Sequence, residues 1–434
     1  MKLTIDINQT AGRIKPMHGI GQPPLKGLGK GIFKSFHYLT EIGTPFSRLH
    51  DVGGPYAANR FVDVPNIFRD FSADADDPAS YDFAFTDALI TALVEAGVEP
   101  YYRLGVTIEN QAEIKPYRIY PPADYDKWAN ICEHIIAHYI DGWADGYHYN
   151  IRYWEIWNEP DDGHGIDGRF SQMWLGTAED YYRLYDVAAK RLKARFPQIK
   201  VGGYAATRFA AITFDPKYVT KRHEYFMEFF HGFFRYVKEH NSPIDFFSWH
   251  SYDSTADMLR QAEWLHKTLD EYGFGDLETH LNEWNPVHGE RGNAHHSAEV
   301  AAAMLGMQNQ PGVELLMIYD ARISGSSEYM PLFDPVDFHP IHAYYALAAF
   351  NELYKLGTQV SLTCDTDRVY AIAASNGQKH ALMISNISGR HQPLEIEGVD
   401  LTDARWYVID QHRLLSWSPE VKTIENNAVV LVEF

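Results

Sequence analysis

The stretch YWEIWNEPD at residues 153–161 places a glutamate directly after an aromatic-rich apolar run. A short run of this kind, bounded by turn residues, predicts a buried β-strand. Pro160 cannot donate a backbone hydrogen bond to a sheet and fixes its own φ, so we expect the strand to end there. Glu159 is therefore predicted to be the last side chain of the strand. A carboxylate at such a position is either a structural acid with satisfied partners or a catalytic group.

Seven further apolar runs share this character, and longer segments with helical periodicity separate them. Because the runs are apolar throughout rather than alternating, we expect a parallel sheet that is covered by helices. Eight strand–helix units between residues 15 and 357 predict a (β/α)8 TIM barrel, a fold that needs about 250 residues and grows by loop insertions. The predicted strands cover residues 17–22, 46–51, 99–105, 151–159, 199–205, 245–252, 278–284 and 315–321.

A doubly wound open sheet is the main alternative for this part of the chain. No G-x-G-x-x-G motif follows the first predicted strand, so nothing supports a dinucleotide site. After residue 357 the sequence changes to short β runs separated by Asn, Gly, Asp and Pro, which predicts an accessory β-sandwich over residues 358–434. This segment is small for an isolated sandwich. We leave open that residues 1–14, which include the strand-like KLTIDIN, complete it.

Composition excludes several classes of function. The net charge of −20 disfavours nucleic acid and anionic membranes as partners, because both require a basic face. No apolar run approaches the roughly 18 residues of a membrane span, and two cysteines do not make a disulfide framework. The start, MKLTIDINQTAGRIKP, has no signal-peptide pattern, so we expect a cytoplasmic protein; a secreted form that has lost its signal stays open, as does the oligomeric state.

Polar side chains end four of the predicted strands, at the face where the active sites of such barrels lie. Strands 4 and 7 of an eight-stranded barrel face each other across its mouth, so Glu159 and Glu283 are predicted to line opposite sides of one cleft. Hydrolysis of a glycosidic bond requires such a pair, because one carboxyl protonates the leaving oxygen while the other attacks the sugar carbon. The strand-end residues are Arg48, His50 and Asp51, Asn158 and Glu159, His250 and Tyr252, and Asn282 and Glu283.

The ordered motifs IWNEPD, WHSY and LNEW resemble those of retaining glycoside hydrolases with catalytic glutamates on barrel strands 4 and 7. Within that superfamily the chain most resembles glycoside hydrolase family 39, which includes β-xylosidases and α-L-iduronidases, over nearly its whole length. The resemblance implies that Glu159 is the general acid/base and Glu283 the nucleophile. It also implies that His50, Asn158, His250 and Tyr252 contact the substrate. Arg48 and Tyr252 would support the nucleophile, and Trp284 would form an apolar wall.

The predicted function is therefore a retaining glycoside hydrolase that cleaves β-linked sugars by double displacement, and an exo-acting β-xylosidase in particular. That choice follows the commonest family activity and the acidic charge of the chain, which disfavours uronates. The alternatives are β-glucosidase, β-galactosidase, arabinose-releasing, endo-glycosidase or α-L-iduronidase activity, a non-catalytic carbohydrate-binding barrel, or a metal-dependent hydrolase. We predict no metal and no other cofactor, because the histidine pairs 134/138, 295/296 and 339/342 lack a recognisable ligand spacing.

The resemblance also sets an expectation for the two glutamates. Retaining enzymes hold their two carboxyl groups about 5–5.5 Å apart. At that distance two ionised carboxylates repel by roughly 3 kcal/mol at an effective dielectric constant near 20, or about two pKa units. One of them should therefore keep its proton near neutral pH, and we assign that proton to Glu159.

Overall fold

Eight parallel strands close into a barrel in the computed structural model, which describes residues 1–25, 34–52, 62–108, 119–287, 290, 292–323 and 331–434. The prediction of a (β/α)8 barrel is confirmed, and the open sheet is wrong. Strand β1 (Lys2–Arg13) precedes the barrel. The barrel strands are β2 (Gly19–Gly21), β3 (Phe46–Leu49), β4 (Glu99–Leu104), β5 (Tyr153–Ile156), β6 (Lys200–Ala206), β7 (Phe246–Ser251), β8 (Glu278–Trp284) and β9 (Val313–Tyr319).

Ten α-helices lie in the described part of the chain, and local signals in the sequence fix several of their starts. Thr177 and Asp180 form a capping box at the start of α5, and the Asp124 side chain caps α4. None of the described helices is both long and apolar enough to cross a membrane. The helices are α1 (His37–Glu41), α2 (Val64–Ile67), α3 (Ala84–Glu95), α4 (Tyr125–Ile140), α5 (Ala178–Arg195), α6 (Ala210–Thr213), α7 (Lys221–His240), α8 (Thr255–Tyr272), α9 (Ala294–Gln308) and α10 (His342–Leu356).

A second sheet follows the barrel and is mostly antiparallel, as the sequence predicted. Its eight strands run in the order β14-β1-β10-β11-β12-β18-β15-β16, and β13 pairs separately with β17. Strand β1 pairs antiparallel with β10 and parallel with β14. The exact domain boundaries, 15–357 and 358–434, stay a prediction. The strands are β10 (Thr358–Cys364), β11 (Val369–Ser375), β12 (His380–Asn386), β13 (Gln392–Pro393), β14 (Glu395–Glu397), β15 (Arg405–Ile409), β16 (Ser416–Ser418), β17 (Thr423–Ile424) and β18 (Ala428–Glu433).

The two faces of this sheet belong to different cores. In β12, Leu382 and Ile384 pack into a core made of residues from the second sheet and from the segments that connect its strands. The alternate residues Ala381 and Met383 belong to the large core of the barrel and its helices. This division follows from the period of two along a strand, which sends neighbouring side chains to opposite faces.

The fourth barrel strand ends earlier than the sequence predicted. Strand β5 stops at Ile156, three residues before Glu159, because the backbone leaves the extended region before it reaches Pro160. Trp157 and Glu159 have φ angles of +71° and +45°, in the left-handed region that non-glycine residues rarely adopt. Hydrogen bonds to neighbouring strands hold this turn, from Trp157 N to Leu104 O at 2.7 Å and from Glu159 N to Ala205 O at 3.1 Å.

The core formed by the second sheet generates a stability prediction. Leu382→Ala should lower the free energy of unfolding by about 2–5 kcal/mol, because it opens a cavity in that core. Urea unfolding with hydrogen exchange at β12 measures the change. The control is Trp417→Ala, whose side chain is exposed on the edge strand β16, with an expected change within about 0.5 kcal/mol. Equal effects of the two substitutions would contradict the packing described above.

Candidate active site

A buried guanidinium lies at the centre of the polar cluster inside the barrel mouth. Arg48, at the end of β3, is 1% exposed and uses three of its nitrogens. Its Nε donates to Glu155 Oε2 at 2.8 Å, Nη1 to Glu283 Oε2 at 3.1 Å and Nη2 to Asn158 Oδ1 at 2.5 Å. The planar fork of donors therefore fixes Glu283 and Asn158 relative to each other.

Glu155 is a residue of this site that the sequence reasoning missed. It lies on β5, is completely buried, and balances the charge of Arg48. Its second oxygen accepts a hydrogen bond from Asn282 Nδ2 at 2.5 Å. One signal was available, because an acidic residue inside an otherwise apolar strand requires a buried partner of opposite charge.

Glu283, on β8, is held through both carboxylate oxygens. Tyr252 donates its hydroxyl to Oε1 at 2.6 Å, while Arg48 donates to Oε2. Burial raises the pKa of Glu283, and the charge of Glu159 adds to that effect; His250, Arg48 and Tyr252 act in the opposite direction. Two donors directed at the carboxylate stabilise its ionised form relative to an equally buried acid without them.

Glu159 has a different environment. Its Oε1 lies 2.8 Å from His250 Nδ1. Burial raises the pKa of Glu159 to about 8, and the carboxylate of Asp162 adds to this. Burial also lowers the pKa of His250 to about 4, so this imidazole is neutral near pH 7. In the cluster, therefore, Glu159 is the acid that favours its protonated form near neutral pH.

The orientation of His250 supports the same protonation state. Its Nε2 faces Glu283 Oε2 at 3.7 Å, where an N–H is favoured over a nitrogen lone pair opposite a carboxylate. The neutral ring then presents a lone pair at Nδ1. In this tautomer Nδ1 accepts the hydrogen bond and a protonated Glu159 donates it, which agrees with the raised pKa of Glu159.

One carboxylate oxygen of Glu159, one of Glu283 and one nitrogen of His250 all lie within 4.8 Å of one another. Such a set could also hold a metal ion. However, Glu283 is already bound by the guanidinium of Arg48, whose positive charge opposes a second cation at the same oxygen. The arrangement therefore favours acid–base and nucleophilic chemistry at this point.

His50 is placed in the site, but its ring nitrogens are used by protein groups. Arg103 Nε donates to Nδ1 at 3.2 Å, so the proton of the neutral ring sits on Nε2, which lies 3.2 Å from Asp51 Oδ1. Burial holds the pKa of His50 well below its usual range, with the charges of Arg103 and Arg48 acting in the same direction. A direct contact of His50 with a sugar hydroxyl stays a prediction.

Trp284 is surrounded by apolar side chains rather than by polar groups. It follows Glu283 on β8, is fully buried, and belongs to the main hydrophobic core. The other seven predicted site residues lie within the polar cluster. The apolar wall assigned to Trp284 stays a prediction.

Two acids after Pro160, also missed from the sequence, anchor the turn that carries Glu159. Asp161 accepts a hydrogen bond from Thr207 Oγ1 at 2.6 Å, and burial raises the pKa of Asp161 to about 8. Asp162 is bound through its side chain and its carbonyl by Arg222 of α7. Consecutive acids after a strand-ending proline are a signal for such anchoring, although they do not identify the partners.

Comparison with known proteins gives a family and a set of distant relatives. The family model described as Glycosyl hydrolases family 39 matches residues 60–360. A β-xylosidase of Geobacillus stearothermophilus is 24% identical over 55% of this chain and 49% of its own length. A β-xylosidase of Caldicellulosiruptor saccharolyticus is 24% identical over 74% of this chain and 66% of its own length. The matches thus span about half and just under two thirds of these two relatives.

A solved structure extends the comparison to the whole chain. The structure of a glucosidase from Croceicoccus marinus superposes with a TM-score of 0.76 at 21% identity, covering 100% of this chain and 98% of that one. At this level of identity, the likeness establishes a shared fold and leaves the chemistry to the residues of the site.

The environment of Glu159 predicts a pH dependence of stability. Its folded-state pKa of about 8 lies above that of an unfolded chain, so unfolding releases a proton between about pH 4.5 and 8 and stability falls as pH rises through this range. Glu159→Gln lacks this proton. Its stability relative to the unmodified protein should therefore rise by more than about 1 kcal/mol from pH 5 to pH 8.

Thermal unfolding across this pH range measures the difference. The matched control is Glu420→Gln, at an exposed glutamate between β16 and β17, whose stability should equal that of the unmodified protein at every pH. If the stability of Glu159→Gln showed the same pH dependence as that of the unmodified protein, Glu159 would not hold a proton near neutral pH.

Proposed function

The chain belongs to glycosyl hydrolase family 39, and on this basis we propose that it is a retaining, exo-acting β-xylosidase working by double displacement. One observation carries the proposal: carboxylate oxygens of Glu159 and Glu283 lie within 4.8 Å of each other. Retaining enzymes hold their carboxyl groups about 5–5.5 Å apart, whereas inverting enzymes leave about 6.5–9.5 Å for a water molecule. The spacing therefore supports direct attack on the sugar.

In the first step, Glu159 gives its proton to the glycosidic oxygen while Glu283 attacks the anomeric carbon from the opposite face. The bond to the leaving group breaks, the aglycone departs with the proton, and the sugar is left esterified to Glu283. The pKa of Glu159, raised to about 8, supplies the protonated acid. Arg48 and Tyr252 hold the ionised carboxylate of Glu283 in place for the attack.

In the second step, Glu159 acts as a base. Now ionised, it takes a proton from water as the water oxygen attacks the anomeric carbon and displaces Glu283. The sugar leaves with its original configuration, and both glutamates return to their starting states. Asn158, held by Arg48, is suited to bind the 2-hydroxyl, as the family resemblance implies.

The sugar is proposed from the relatives and from charge. Both curated relatives carry the name β-xylosidase. A neutral pentoside also avoids placing a substrate carboxylate beside Glu159, Glu283 and Asp51, which lie at the same mouth of the barrel. We accordingly propose a neutral β-linked xylosyl residue at the end of a chain as the substrate.

Aryl glycosides that differ only in their sugar test this choice. We expect the highest kcat/KM with aryl β-xylopyranoside, lower values with the β-glucoside and β-galactoside, and negligible turnover of the uronides. Proton NMR of the first product should show retained configuration. A first product of inverted configuration would contradict double displacement, and preferred cleavage of a uronide would contradict the charge argument.

Substitution of the two glutamates tests their roles. Glu283→Ala should abolish glycosyl-enzyme formation, and added azide should restore turnover with a product of inverted configuration. Glu159→Ala should slow poor leaving groups by about 10²–10⁴-fold and activated aryl groups much less, since these need little protonation. In the unmodified enzyme, kcat/KM should fall as pH rises through about 8, because Glu159 then loses its proton.

A matched control for these substitutions lies on β8, the strand that carries Glu283, at its opposite end. Glu278 begins β8 and pairs with Lys200, far from the barrel mouth. Glu278→Gln should therefore keep the leaving-group dependence and the alkaline limb of the pH profile. If Glu159→Ala responded to azide and Glu283→Ala showed the leaving-group effect, the two roles would be exchanged.

A further inference from the structure

Asp51 differs from other acids at the carboxyl ends of the barrel strands. Its side chain is 12% exposed, which is close to the 11% of Glu283 and the 16% of Glu159. Four other acids at these strand ends are at most 5% exposed, and each is paired with an arginine. These are Glu155 with Arg48, Asp162 with Arg222, Asp253 with Arg208 and Asp320 with Arg322.

The carboxylate of Asp51 is fixed by donors from three parts of the barrel mouth. Ile108 N donates to Oδ1 at 3.0 Å, and His50 Nε2 lies 3.2 Å from the same oxygen. Tyr319, at the end of β9, donates its hydroxyl to Oδ2 at 3.1 Å. Asp51 also has a φ of +53°, and such strain at a non-glycine residue persists where its surroundings hold it and is frequent at functional sites.

Among the described residues, these contacts leave one acceptor position of the Asp51 carboxylate unused. A carboxylate offers about four acceptor positions, and the three donors occupy two on Oδ1 and one on Oδ2. The three donors are a backbone amide, a tyrosine hydroxyl and the neutral imidazole of His50. Within the described residues, no lysine or arginine pairs with Asp51. A partly buried carboxylate with neutral donors gains from a further hydroxyl donor at Oδ2.

The position of Asp51 indicates which part of a sugar it would meet. Tyr252 donates to Glu283, and its ring lies perpendicular to that of Tyr319 at a centroid distance of 6.4 Å. Tyr319 in turn donates to Asp51. Two tyrosine side chains thus lie between Asp51 and Glu283, which places Asp51 away from the carboxylate proposed to attack the anomeric carbon.

We propose that Asp51 binds a hydroxyl at C3 or C4 of the terminal sugar and thereby selects for neutral sugars that carry it. His50 is then a positioning residue that directs the carboxylate of Asp51. The inference rests on the glycosidase function proposed above. It also explains why both ring nitrogens of His50 are used by protein groups, while the described residues leave one acceptor position of Asp51 open.

Deoxy sugars test the proposal. On the parent aryl β-xyloside, Asp51→Asn should lower kcat/KM by about 10- to 100-fold, because a hydrogen bond to a charged acceptor is lost. On whichever deoxy analogue lacks the partner hydroxyl, 3-deoxy or 4-deoxy, the variant and the unmodified enzyme should agree within about threefold. His50→Gln should reduce discrimination between the same two substrates, which a purely structural role would not do.

The control is Asp253→Asn, at a buried acid two residues after the end of β7; it should change kcat/KM by the same factor on parent and deoxy substrates. An equal loss for Asp51→Asn on all three substrates would overturn the proposal. If Asp51→Asn fails to fold, the unmodified enzyme decides. It must prefer the parent to one deoxy analogue by at least about tenfold, and no preference would also overturn the proposal.

Failure of the proposed function is distinguishable from failure of this inference. If the unmodified protein cleaved no aryl glycoside, the hydrolase proposal would fall. Calorimetric binding of xylose, 3-deoxyxylose and 4-deoxyxylose would then test Asp51 directly. Tighter binding of xylose that is lost in Asp51→Asn would support the inference, and equal binding of all three sugars would overturn it.

Discussion

The buried charge of Arg48 constrains the rest of the site. A guanidinium removed from water costs several kcal/mol unless it is paired and hydrogen-bonded. Arg48 meets this requirement through Glu155 after β3 has brought it inside the barrel, and its remaining donors reach Glu283 and Asn158. Strands β3, β5 and β8 therefore cannot shift independently. Glu283, the proposed nucleophile, is held by the same contacts that stabilise the barrel interior.

This constraint creates two acids with different chemistry from the same residue type. Glu283 lies against Arg48 and Tyr252. Glu159 lies on a strained turn that Asp161 and Asp162 anchor, and it contacts the neutral imidazole of His250. The environment rather than the residue type thus distinguishes the proposed proton donor, Glu159, from the proposed nucleophile, Glu283. His250 lies between the two and contacts Glu159 directly. A proton on Glu159 and a negative charge on Glu283 are mutually favourable across this short distance.

The second sheet contributes to the same rigidity from outside the barrel. Helix α9 follows β8 and is buried around nearly its whole circumference. A helix that is apolar on all sides must be covered on all sides. The barrel covers one side of α9, and the inner face of the second sheet covers the other, where Ser385 donates its hydroxyl to Ala298 O at 2.7 Å. The sheet thereby supports the helix that returns from the strand carrying Glu283.

The sequence by itself determined the barrel, the second sheet, and the strands that present Glu159 and Glu283. Continuous apolar runs alternating with helical periods specify a parallel sheet covered by helices, and residues at the ends of its strands must meet at one face. Seven of the eight predicted site residues lie in the cluster for this reason. The end of β5 was misplaced, because φ angles set by neighbouring strands, rather than by Pro160, turn the chain.

Only the tertiary structure decided which partner each polar side chain takes. The pairing of Arg48 with Glu155 joins residues 107 positions apart, and no local pattern encodes such a contact. The packing of Trp284 in the main core is a tertiary contact that its position at a strand end did not reveal. The tautomer of His50 follows from Arg103, which can only donate, and this tautomer directs the ring N–H towards Asp51. Protonation and hydrogen bonding depend on distances of a few ångströms between distant parts of the chain, and those distances exist only after the barrel has closed.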